Sequence, residues 1–273
     1  MAYTDSIIIF FGGCIGGLLA GLLGVGGGII FVVILGFYLE KIGVPKELLV
    51  PAILANSLFA IFFSGISGSI KQYLAKNFYP KEIVLAAIPA AIASITITHL
   101  INSGHWYTKE RFSIFFILLL AFIAFRILMT RKKEEIPGVA EKGAVWMKVL
   151  VGLLTGVISA FSGIGGGVIM IPIFTELMQV NLKKATGISL GVITLMSFIT
   201  SIYSATAEHA ININLPYTMG LLVFPIVLPL VIGTVICAPY GVTLSHKLST
   251  QTIRMVFFVF ITIIMVKMLT AFL

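Results

Sequence analysis

Two triple-glycine blocks interrupt long apolar segments of this chain: Gly24-Val25-Gly26-Gly27-Gly28 and, 139 positions on (163 against 24), Gly163-Ile164-Gly165-Gly166-Gly167. Glycine costs a helix more than any residue except proline. A run of three inside a lipid-compatible segment therefore breaks the helix. Non-helical backbone is tolerated in a bilayer only where protein or a cavity surrounds it. Two such breaks at matching places in two halves of a chain point to a carrier whose site lies at the interface of its repeats.

That the segments do lie in lipid follows from composition. Of 273 residues 59% are hydrophobic and 10% charged, with mean hydropathy +1.13, against about 25% charge in soluble domains. The formal net charge of +8 sits in short loops, where Lys and Arg orient membrane proteins, so it is no nucleic-acid signal. Cys14 and Cys237 lie in apolar stretches without a CxxC and read as small buried hydrophobes. No basic residue precedes the first apolar run, so that run reads as part of the mature fold and not as a cleaved signal.

Apolar segments run at about 6–38, 48–70, 80–101, 111–130, 146–178, 185–206, 215–240 and 252–272. Four precede the polar stretch that starts at Arg131 and ends in Pro137-Gly138, and four follow it. The expected organisation is a membrane repeat over 1–133, a cytoplasmic linker over 134–143 and a second repeat over 144–273. The halves align as a repeat. Gly13, Gly17, Gly24, Gly26, Gly27 and Gly28 match Gly152, Gly156, Gly163, Gly165, Gly166 and Gly167 without a gap. Asn56-Ser57-Leu58 matches Ile188-Ser189-Leu190, Pro80 and Pro89 match Pro216 and Pro225, and Arg111 matches Arg254.

Segments one and five are too long for one crossing, since residues 6–38 as a helix would span about 50 Å against a hydrocarbon core of about 30 Å. Each is either a hairpin that returns to its starting side or one steeply tilted, broken span. Loop charges favour the hairpin. With a cytoplasmic linker and two hairpins, Lys71, Lys76, Lys81, Arg131, Lys132, Lys133, Lys142, Lys148, Lys183, Lys184, Lys247 and Arg254 face inside, and Lys41, Lys46, Lys109 and Arg111 face outside: twelve against four. With eight simple spans four of the twelve change side, leaving eight against eight. The positive-inside rule selects the hairpins. Each half then crosses an odd number of times, which inverts the second relative to the first and places both termini outside.

The glycine blocks admit a binding reading and a packing reading. For binding, the limbs starting near Ile29 and Val168 would aim unsatisfied N–H groups and a positive dipole end at an anion. The Gly13/Gly17/Gly21 and Gly152/Gly156 ladders read as close helix packing. Neither block is followed by Gly-Lys-Ser/Thr, so neither is a nucleotide loop. Ser162, Asn56, Ser57 and Ser189, with Thr186 and Thr194, interrupt apolar runs near the breaks. Their hydroxyls and amides can hold an oxyanion or bond helix carbonyls. Arg126, Glu176, His99 and Lys267 are ionisable groups within spans, with Glu40 at a segment end. Snorkelling accounts for most of them, and His99 and Glu176 are the candidates for proton coupling. There is no HExxH or GxSxG, and the four His (His99, His105, His209, His246) are scattered, so no enzyme is expected, nor a metal or cofactor.

The runs Gly21-Leu22-Leu23-Gly24-Val25-Gly26-Gly27-Gly28 and Ser159-Ala160-Phe161-Ser162-Gly163-Ile164-Gly165-Gly166-Gly167-Val168-Ile169-Met170-Ile171-Pro172 resemble the sulfite exporter TauE/SafE family. So do the polar stretches Leu54–Leu58 and Ala185–Leu190 that follow them. The resemblance spans nearly the whole chain. It implies a bacterial or archaeal plasma-membrane carrier of sulfite, sulfonates or related anions, coupled to the proton gradient. Composition and spacing by themselves reach an anion-favouring secondary carrier.

The expectation is thus an all-α polytopic membrane protein of two inverted-topology repeats, each a Gly-broken helical hairpin followed by three transmembrane helices. The substrate-binding residues would be Gly24, Gly26, Gly27, Gly28, Ile29, Asn56, Ser57, Ser162, Gly163, Gly165, Gly166, Gly167, Val168 and Ser189, at mid-depth between the hairpin tips. Its partners are a small anionic substrate and the lipid bilayer, with no nucleic acid. A homo-oligomer is left open, as are a passive anion channel and a non-transporting membrane assembly protein.

Overall fold

A computed structural model describes residues 3–104, 106–129, 144–206 and 217–272. The expected linker at 134–143, the loop cations Arg131, Lys132, Lys133 and Lys142, His105, His209 and Pro216 lie outside them, as does the side chain of Arg254. The first half contains α1 (Tyr3–Leu23), α2 (Gly28–Lys41), α3 (Lys46–Leu74), α4 (Pro80–Gly104) and α5 (Lys109–Met129). The second contains α6 (Val145–Ser162), α7 (Gly167–Pro172), which continues through a π turn at Ile173–Leu177, α8 (Leu182–Thr206), α9 (Phe224–Lys247) and α10 (Thr250–Phe272). Eight of these helices are long and apolar enough to cross a membrane. The architecture is that of an all-α polytopic membrane protein, with one addition. A two-residue antiparallel ladder, β1 (Thr218–Met219) with β2 (Leu222–Val223), precedes α9.

The glycine blocks break both long segments with the same backbone. Gly24, Gly26 and Gly27 have φ of 69°, 91° and 76°, and Gly163, Gly165 and Gly166 have 67°, 94° and 73°. This left-handed region is open to glycine and costly to other residues. In the first half the limbs return as a hairpin. The tip pairs Gly27 with Gly16, Gly12 meets Ile34, and the open end is closed by Lys41 Nζ on Asp5 Oδ1 at 2.8 Å. In the second half Gly166 meets Thr155, the residue that the repeat aligns with Gly16.

The glycine ladders pack helices of opposite halves. Gly13, Gly17 and Gly21 of α1 lie against Leu230, Thr234 and Ala238 of α9, and Gly152 and Gly156 of α6 lie against Ala86 and Ala90 of α4. In both pairs the numbers rise together, so the helices run parallel. Small residues let the backbones close up, which is how helices associate where lipid removes the hydrophobic drive. These contacts correct the expected proline register. Leu230 answers Ala86 and Thr234 answers Ala90, an offset of 144, which places Phe224, beside Pro225, opposite Pro80 and Gly233 opposite Pro89. The extra length lies in the stretch between α8 and α9, residues 207–223, against 75–79 between α3 and α4.

Candidate functional site

The two glycine blocks meet. A methyl added at Gly28 would sit 2.5 Å from Gly163 O and from Ile164 Cα, and one at Gly167 would sit 2.5 Å from Gly24 O and 2.9 Å from Val25 Cα. The hydroxyls beside them repeat the exchange. Ser57 Oγ of α3 donates to Gly163 O at 2.6 Å, and Ser189 Oγ of α8 donates to Gly24 O at 2.8 Å. Each half thus satisfies a carbonyl that the other half's break leaves without an intrahelical donor. Ile61 and Ile193, both fully buried, cover the apex: Gly26 faces both and Gly165 faces Ile61. Ser64 Oγ donates to Gly26 O at 3.0 Å.

All fourteen residues expected to bind substrate are buried, and the structure gathers them around this junction. Their polar side chains are engaged with backbone. Ser162 Oγ donates to Ile158 O at 2.7 Å and accepts from Ile164 N at 3.2 Å. Asn56 Nδ2 donates to Ala52 O and Leu221 O at 2.8 and 2.9 Å, and Asn56 Oδ1 accepts from Val223 N at 2.9 Å. Asn56 therefore holds the β-ladder, whose Leu221, Leu222 and Val223 are buried. Irregular backbone can be buried in a membrane protein when a side chain satisfies it in this way.

A cavity of about 500 Å³ lies on one flank of the junction. Leu22, Leu23 and Val25 of the first hairpin and Gly167, Val168 and Ile169 of α7 form one wall. The N–H groups of Gly167 and Val168 belong to the first turn of α7, which has no intrahelical acceptor for them. Phe115, Leu119 and Phe122 of α5 and Ile253 and Phe257 of α10 add apolar surface. Arg126, Glu176 and Lys183 bring charge, and Thr175, Thr186 and Ser245 bring hydroxyls. Of the fourteen expected residues, Gly167 and Val168 line this cavity.

An aromatic cluster gathers where the first limb of the second hairpin ends. Phe161, which the repeat aligns with Leu22, packs against Tyr107, Trp106 and Phe115 with ring centroids 5.5, 6.2 and 5.6 Å away. Tyr107 Oη donates to Phe161 O at 2.9 Å. Burial pushes that phenol well above the usual tyrosine range, so it stays a neutral donor. Tyr107 lies in the α4–α5 loop as Leu248, which lines the open cavity, lies in the α9–α10 loop. Leu22 thus lines the hollow where its repeat counterpart, Phe161, sits in an aromatic cluster.

Of the two coupling candidates, Glu176 reaches the cavity. Pro172 lacks the N–H that an α-helix needs there, and the following turn is a π turn, a form common at functional sites. That turn carries Glu176, which pairs with Arg126 of α5. His99 lies away from the cavity, exposed on α4, with Nδ1 2.7 Å from Tyr203 Oη. Sequence reasoning passed over Arg126 as a snorkelling cation and Lys183 as a loop charge. A lone Arg one turn from a helix end carries no sequence signal of a partner 50 positions away.

The family described as sulfite exporter TauE/SafE matches residues 9–268. A probable membrane transporter protein of Haemophilus influenzae is 26% identical over 97% of this chain and 98% of its own length. One of Methanocaldococcus jannaschii is 28% identical over 89% of this chain and 87% of its own. One of Bacillus subtilis is 23% identical over 92% of each. No solved structure matches the chain.

Proposed function

The chain belongs to the sulfite exporter TauE/SafE family, and from that premise we propose that it carries sulfur-containing anions, sulfite or organosulfonates, outward across the plasma membrane. It is a multi-pass membrane transporter and not an enzyme. The finer reading is a secondary carrier of two inverted-topology repeats that alternates access by exchanging their conformations. The anion sits at the amino end of α7 in the present conformation and at that of α2 in the exchanged one. Glu176 is the coupling group for protons.

One observation carries this reading. Leu22 lines the hollow beside α7, whereas its counterpart in the second half, Phe161, is packed among Tyr107, Trp106 and Phe115. Two near-equivalent halves in unequal states are what an alternating carrier requires. With a cytoplasmic linker, the charge count supports a cytoplasmic position for Lys183, which lines the hollow. That orientation suits an exporter awaiting its load.

Reconstitution in liposomes tests the function. Sulfite efflux is expected to saturate with concentration, to rise with an inward proton gradient and to show counterflow exchange. Unsaturable current at channel-like turnover, or no flux at all, would overturn the carrier reading. Topology is a separate test: tags at both termini are expected to be reached by an impermeant reagent from outside, and a tag at Lys133 only after permeabilisation. A cytoplasmic carboxyl terminus would remove the inverted arrangement.

A further inference from the structure

We propose that Arg126 is the cation that receives the transported anion, and that the Glu176 carboxylate occupies it while the cavity is empty. The inference rests on the carrier reading above and names the residue that reads the substrate's charge. Three observations support it. Arg126 and Glu176 pair inside the lining of the cavity that reaches Gly167 and Val168. Their side chains are 34% and 33% exposed, so the pair is neither sealed in a core nor fully in solvent. The pair also joins the two halves, Arg126 coming from the last helix of the first and Glu176 from the broken hairpin of the second.

A guanidinium is a planar fork of donors that takes a carboxylate or another oxyanion in the same two-point geometry. A carboxylate at Arg126 therefore copies what a sulfonate or sulfite would present. In a cavity walled mostly by Leu, Ile and Phe, leaving the guanidinium without a counter-charge is costly. Exchange of one oxyanion for another keeps it compensated as substrate enters and leaves. Among the described residues the lining holds two cations, Arg126 and Lys183, and one anion, Glu176, so an entering anion still meets net positive charge. The displaced carboxylate retains Lys183 as a neighbouring cation of the same cavity. Exchange also links substrate entry to movement of the π turn, because Glu176 leaves Arg126 only if that turn or its side chain shifts.

The test is binding of sulfite and of methanesulfonate to the purified full chain in nanodiscs, at fixed pH and ionic strength, with melting temperature followed in parallel. Glu176→Gln removes the internal competitor and is expected to tighten both anions by roughly two- to fivefold, the range set by a partly exposed ion pair. Arg126→Gln is expected to weaken both by about tenfold or more. Arg126→Lys, which keeps the charge and loses the fork, falls between and serves where the Gln variant does not fold. A merely structural pair gives a different pattern: Glu176→Gln lowers the melting temperature and leaves affinity unchanged or weaker. That result overturns the proposal while the carrier reading stands, provided that wild type binds. A folded wild type that binds neither anion overturns both.

Discussion

Gly27→Val and Gly166→Val are each expected to abolish transport. Both glycines stand at the amino end of a returning limb with φ of 76° and 73°, a conformation that costs about 1–3 kcal/mol for an ordinary residue and is an outlier for a β-branched one. The added carbons would also press on Gly16 O in the first hairpin and on Thr155 in the second. Relief requires the hairpin to open, which moves the first-turn amides of α2 or α7 away from the junction. Insertion depends on segment hydropathy, which valine raises, so the protein is expected in the membrane fraction at near wild-type amounts. Flux in vesicles normalised to membrane-inserted protein checks this. Wild-type rates from both variants would detach function from the glycine blocks.

Asn56→Leu is expected to be the most destabilising change among the polar residues of the junction. Leucine fills much of the volume but strands Leu221 O and Val223 N, two buried backbone groups now satisfied by the Asn56 amide. A buried polar group without its partner costs about 1–3 kcal/mol, so the pair amounts to roughly 2–6 kcal/mol. The expected readout is a melting temperature lower by several degrees, with faster proteolysis at residues 217–223. A residue that served only to contact substrate would behave otherwise: affinity would fall and the melting temperature would hold.

The fate of particular residues shows how far the sequence could be read. The breaks at Gly24–Gly28 and Gly163–Gly167 were legible because glycine runs in apolar segments have few other uses. The ladders Gly13/Gly17/Gly21 and Gly152/Gly156 were legible as packing for the same reason, and the structure shows which helices they meet. Ser57 and Ser189 were legible as a matched pair, yet not as a reciprocal one, because only the fold reveals that each reaches the other half's carbonyl. Asn56 stood out as polar in an apolar helix. Its partners lie 165 and 167 positions away, beyond any local pattern. The β-ladder was missed because two residues per strand are too short to show a period, and the longer connection between α8 and α9 that contains it shifted the expected proline register.

Local chemistry therefore decided the elements. Hydropathy set eight membrane helices, glycine set two breaks, and an exact 139-residue spacing made them equivalent, since these features depend on each residue's own conformational and transfer free energies. Long-range packing decided the site. Near-identical glycine blocks end with a hollow on one side and a buried Tyr107 on the other, and Arg126 meets Glu176, because side chains distant in sequence compete for the same space and the same hydrogen bonds.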